Sequence, residues 1–162
     1  MSPRRLDVTV GPRALEAWGE AVGRMAAGEG LVVALTGPLG AGKTSLVRAA
    51  SRAAGALEPA RSPTYTLHHR HRLSGGGTLH HLDLYRIAST AELVDLGWDE
   101  LIESGDPVFV EWADRASGAL PPDRWDVELA MAQAGRSRRL RARARGAAPP
   151  LPAAPVSEEA PC

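Results

Sequence analysis

The chain of 162 residues holds a single cysteine, Cys162, and a single lysine, Lys43. One cysteine cannot form an intrachain disulfide, so a reducing cytoplasm is the expected compartment. Neither sign of charge predominates. The 19 basic residues balance 19 acidic ones, and no global field directs the chain to nucleic acid or to a membrane surface. The longest strongly apolar run is Leu31–Leu35, far short of the ~20 residues a membrane span requires. No apolar region follows Arg4 and Arg5, so no signal peptide is expected. Nor is there an internal repeat. The length fits one domain with appendages, with a core large enough to need neither disulfide nor metal for stability.

What is present is arginine, alanine, glycine and proline in excess. Eighteen of the 19 basic residues are arginine. Arginine stands wherever a generic positive charge is wanted. The lone lysine marks a place that needs a compact ammonium on a flexible stem.

Along the chain, Leu6–Val10 alternates as a short strand, and Pro12 can open a helix that runs to Ala27. Leu31–Thr36 is an apolar, β-branched run between glycines, which predicts a buried strand. A glycine-rich turn and a helix from Lys43 to about Ala54 follow. Thr66–Leu73 and Thr78–Leu84 read as strands joined by a Ser74–Gly77 turn. Ser89 and Glu92 fit a capping box that opens a helix to Leu96, with a second short helix through Ile102. Pro107–Glu111, Asp126–Met131 and Arg138–Ala144 read as further strands. The order predicts an α/β fold, three layers α/β/α around a mixed sheet that carries β-hairpins. Residues 1–145 form the expected domain, and 146–162, rich in alanine and proline, the expected disordered tail.

The segment G-P-L-G-A-G-K-T at 37–44 satisfies the pattern G-x-x-x-x-G-K-[ST] between a strand and a helix. Its spacing has a chemical reason. Gly37, Gly40 and Gly42 let the backbone curl so that its N–H groups, those of Leu39 and Ala41 included, surround phosphate oxygens. The following helix points its N-terminal donors at the same place. Lys43 would reach the β- and γ-phosphates, and the Thr44 hydroxyl would ligate Mg²⁺. Guanine recognition usually draws on an N-K-x-D motif. The only lysine is already committed, so ATP is favoured. Two predicted strands end in carboxylates, Asp83 and Glu111. Either could organise the metal or position an attacking water.

S-P-T-Y-T-L at 62–67, H-L-D-L-Y-R at 81–86 and V-E-W at 110–112, downstream of the phosphate loop, resemble the bacterial tRNA threonylcarbamoyladenosine biosynthesis ATPases, the TsaE (YjeE) family. The resemblance covers about residues 6–145. It implies a small P-loop ATPase that works with TsaD and TsaB and meets tRNA indirectly or weakly. It also implies that Thr44 and Glu111 hold Mg²⁺, that Asp83 lies beside the nucleotide, and that Trp112 neighbours the metal acid. Ser62, Pro63, Thr64 and Tyr65 would form a switch-like loop, with Tyr85 and Arg86 supporting the site, and Arg136 matches a basic position near the nucleotide. Competing readings are a small P-loop kinase acting on a metabolite and a nucleotide-gated assembly module.

Two further features stand apart. His68, His69, His71, His80 and His81 cluster on the proposed hairpin; without cysteines or an orienting spacing, no zinc site is expected. Residues 136–145 hold six arginines and no acid. In a strand, Arg139, Arg141, Arg143 and Arg145 share one face. That suits a charged edge strand, and the alternative is contact with tRNA phosphate or an acidic partner.

Overall fold

The computed structural model of the chain describes residues 2–58 and 67–156. The expected switch segment, Ser62–Tyr65, lies outside the described residues. Among the described residues seven strands form one mixed sheet: β1 (Arg5–Val10), β2 (Val32–Thr36), β3 (His68–Arg72), β4 (Thr78–Asp83), β5 (Val108–Glu111), β6 (Arg124–Ala132) and β7 (Ser137–Arg145). Their spatial order is β1-β7-β6-β2-β5-β4-β3. The central strands β6, β2, β5 and β4 run parallel, the hairpin partners β7 and β3 run antiparallel to them, and β1, antiparallel to β7, points the same way as the central strands.

Alternation along β2 divides the interior. Val33 and Leu35 face helices α1 (Pro12–Glu29) and α2 (Lys43–Ala53), with Leu46, Phe109, Trp125 and Leu129. Val32 and Ala34 face α3 (Glu92–Asp95) and α4 (Trp98–Glu103), with Leu82, Val108, Val110 and Leu93. Each such fully buried aliphatic contributes roughly 1.5–3 kcal/mol. These two cores make the three layers expected for a P-loop NTPase-like fold. Helix α1 buries Leu15, Trp18, Gly19, Val22, Gly23 and Ala26, a stripe at helical spacing. A Cβ on Gly23 would lie 2.0 Å from the Ala50 carbonyl oxygen, so glycine lets α1 rest directly on the backbone of α2. That contact fixes α2, whose first turn carries Lys43 and Thr44.

Three expectations change. First, β7 is not an edge strand; it lies between β1 and β6. Three of the four arginines on its outer face are paired across strands: Arg139 and Arg141 with Asp7, Arg141 with Glu128, and Arg145 with Asp126. The pairing depends on β1, which is distant in sequence, so local patterning did not reveal it.

Second, the chain does not lose structure at Gly146. Ala148 and Leu151 are buried in the first core. The Trp125 indole N–H donates to the Pro149 carbonyl at 2.8 Å, and the Leu151 N–H to the Pro3 carbonyl at 2.8 Å. The Arg4 guanidinium bonds the carbonyls of Ala144, Gly146 and Ala148. Residues 146–152 are a strap held by backbone carbonyls and one leucine, which composition alone conceals.

Third, only half of the capping box forms. The Glu92 carboxylate accepts from the N–H groups of Ala88 and Ser89, but the helix starts at Glu92 with no side-chain cap.

Candidate functional site

The C-terminal ends of β2, β4 and β5 meet at one edge of the sheet, where open α/β folds collect ligands. The loop Gly37–Gly42 leaves β2 there and enters α2. Gly37 has φ 137°, and a Cβ on it would strike the Leu129 carbonyl oxygen at 2.1 Å. Glycine is therefore obligatory where the loop turns under β6. Gly42 caps α2 with φ 108° and makes no side-chain cap. The first-turn donors of α2 thus remain available to an anion, reinforced by the helix dipole.

Lys43 is almost wholly buried. Its ammonium donates to the carbonyls of Gly37 at 2.6 Å and Pro38 at 2.9 Å, and lies 4.2 Å from the centroid of the Trp112 ring. Burial pushes the amine below the usual lysine range, and the carboxylates of Glu111, Asp83 and Asp114 act against that. Trp112 adopts left-handed backbone angles, φ 55° and ψ 42°, directly after β5. That sharp turn presents its ring to Lys43. Tyr85 packs against Trp112, with ring centroids 4.8 Å apart and the planes tilted by 51°.

The acids lie alongside. The parallel register sets Asp83 of β4 opposite Glu111 of β5. Glu111 is buried and accepts the Thr44 hydroxyl proton at 2.8 Å through Oε1. Its Oε2 lies 2.5 Å from His81 Nε2. Asp83 accepts the Tyr85 N–H at 3.0 Å. Burial raises its pKa above the usual carboxylate value, and Glu111 adds to the rise against the Tyr85 hydrogen bond. Hence Lys43, Thr44, Asp83, Glu111, Trp112 and Tyr85 converge. Arg86 is exposed and forms no ion pair with a described residue.

The donors suit a nucleotide and a hard cation. Thr44 and Glu111 offer oxygen, which Mg²⁺ prefers with one or two carboxylates beside phosphate. Because Thr44 gives its proton to Glu111, its lone pairs remain free for a cation. A cavity of 360 Å³ beside Gly42, lined by Leu15, Ser45, Leu46 and Arg138, has room for a group attached to the phosphates.

Sequence reading missed two residues. Arg136 is exposed and bonds locally to the Gln133 carbonyl, beside a cavity shared with Val10, Gly11 and Pro12. The arginine against the phosphate loop is Arg138, which bonds Ala41 O at 2.9 Å and Gly40 O at 3.4 Å. The alternation of β7 carried a signal for it: Arg138 is in phase with the buried Leu140, Ala142 and Ala144, whereas Arg139, Arg141 and Arg143 fall on the exposed face. His81 was visible only as part of a motif. Among the described residues no cluster of three metal-ligating side chains exists, and no helix is long and apolar enough to cross a membrane.

Known proteins share this architecture. The chain is 39% identical over 104 residues to the tRNA threonylcarbamoyladenosine biosynthesis protein TsaE of Treponema pallidum, covering 64% of this chain and 75% of that protein. It is 36% identical over 91 residues to the protein of the same name from Haemophilus influenzae, covering 56% of this chain and 57% of that one. For the Bacillus subtilis protein of that name the identity is 34% over 100 residues, covering 62% and 61%. The matches to the latter two thus span less than two-thirds of those relatives. The crystal structure of Bacillus subtilis YdiB superposes with a TM-score of 0.69 at 27% identity, over 90% of this chain and 88% of that one. Residues 10–140 match the sequence model of the family described as threonylcarbamoyl adenosine biosynthesis protein TsaE, and the chain belongs to that family.

Proposed function

We propose that the chain binds and hydrolyses ATP with Mg²⁺ in the biosynthesis of threonylcarbamoyladenosine in tRNA, acting with TsaD and TsaB. The observation that carries this reading is the hydrogen bond from Thr44 to Glu111 at the head of a glycine-rich phosphate loop. The names of the relatives and the family description support the pathway. In this reading the loop N–H groups and Lys43 bind the β- and γ-phosphates, while Thr44 and Glu111 hold the cation. When bound, Mg²⁺ neutralises charge on the phosphate oxygens. Asp83, beside Glu111, orients the attacking water, and its raised pKa suits a group that takes up a proton. The Trp112 and Tyr85 rings border this edge and offer aromatic anchors to a partner.

The test is phosphate release from ATP with and without TsaD and TsaB, with ATP affinity measured by calorimetry. Lys43→Ala is expected to lose about 3 kcal/mol of nucleotide binding, roughly two decades in Kd. Native affinity in that variant would overturn the assignment.

A further inference from the structure

The most deeply buried polar side chain at this edge has no role in the reading above. His81 is fully buried on β4, two residues before Asp83. Its only polar contact among the described residues is Nε2 to Glu111 Oε2 at 2.5 Å; Nδ1 has none. The missing partner fixes the tautomer. A proton on Nδ1 would strand a buried N–H and set the bare Nε2 lone pair against a carboxylate oxygen. With the proton on Nε2 the imidazole donates to Glu111, and only an acceptor lone pair is left unused.

The Glu111 carboxylate is therefore gripped at both ends. Thr44 donates to Oε1 and His81 to Oε2. A carboxylate held by one donor can rotate about its terminal torsion, whereas one held by two cannot. The grip is rigid because both donors stand on regular structure, His81 in a strand paired with β5 and β3, and Thr44 in the first turn of α2.

We propose that His81 is a positioning residue for the cation. It orients the Glu111 carboxylate, and through Glu111 the Thr44 hydroxyl, so that both are set before Mg²⁺ arrives. The inference rests on the nucleotide–Mg²⁺ reading of the site. Its effect belongs to the cation and not to the phosphates, since His81 makes no hydrogen bond to the phosphate loop.

Calorimetric titration of the full chain with ADP, in EDTA and at a series of Mg²⁺ concentrations, tests it. His81→Met fills the space without a donor. It should raise the Mg²⁺ concentration needed for tight ADP binding by about 10- to 100-fold. Affinity in EDTA should remain within about twofold, because loop and ammonium contacts are untouched. His81→Gln can return an N–H to the position of Nε2 and should restore most of the Mg²⁺ response. His81→Asn is also polar but too short and should not, so the Gln–Asn contrast carries the test if the Met variant does not fold. An unchanged Mg²⁺ response in His81→Met, or equal behaviour of the Gln and Asn variants, overturns the proposal. A wild-type chain that binds ADP with no Mg²⁺ effect overturns the cation reading and this inference with it.

Discussion

The two halves of the sheet manage charge in opposite ways. In the half formed by β2, β5 and β4, helices cover both faces, and few polar side chains are buried. Glu111, at the end of β5, is bonded both to Thr44 in the first turn of α2 and to His81 within β4. In the half formed by β6, β7 and β1, one face is packed and the other carries an open lattice of Arg139, Arg141, Arg145, Asp7, Asp126 and Glu128. The second half has many more charges, but each is solvated and screened, and exposed pairs are individually worth little. Desolvation, not the number of charges, gives a polar contact its consequence. Arg143 sharpens the contrast: it stands opposite Arg5 in the register, and repulsion from Arg5 and Arg145 lowers its pKa.

The largest effect that would test this comparison lies in the packed face of the open half. Ending the chain after Gly146 removes Ala148 and Leu151 from the core and leaves the Trp125 N–H without its acceptor. The expected loss is about 3 kcal/mol or more of unfolding free energy in urea, with ATP affinity retained. A variant as stable as the parent would mean that the strap is ornamental.

Glu111→Gln comes next. It keeps the shape but removes the charge between Thr44 and His81, and should lower ATP turnover by roughly 100-fold with a reduced response to Mg²⁺. Full turnover would erase the distinction between buried and exposed acids.

A smaller effect concerns pH. Burial and the neighbouring His80 depress the pKa of His68 from 6.5 to about 4. The unfolded chain takes up this proton before the folded one. The stability is therefore complete above pH 6.5 and declines as the pH falls towards about 4. His68→Phe should flatten that part of the thermal-midpoint profile.

Smallest of all is Asp7→Asn, which removes the acid shared by Arg139 and Arg141 at an exposed position. Its thermal midpoint should stay where it was. A clear drop would show that the open lattice acts as a cooperative network.

The strand–loop–helix at 32–53 was legible because glycine placement, apolar run and helix start are all local signals. Asp83 and Glu111 were legible as strand ends, and the parallel register brings them together. Pairing across the sheet was not legible. Whether β7 is an edge depends on β1, some 130 residues earlier by the contact of Asp7 with Arg139. The strap was hidden for another reason: its anchors are backbone carbonyls, which sequence does not distinguish. Arg138 and Arg136 are equivalent by composition, but Arg138 lies inside β7 and bonds Ala41 of the loop, whereas Arg136 precedes the strand and bonds the Gln133 carbonyl of the turn.

The contacts of Lys43 within its own loop bear on how tightly a phosphate could be held. Its ammonium already has two carbonyl acceptors and an aromatic face. A phosphate that takes it gains only the difference between the new contacts and the old. The loop is in effect a competitive ligand for its own lysine. If the loop takes a nucleotide as proposed, acceptors already in place for this ammonium would favour quick release over long occupancy.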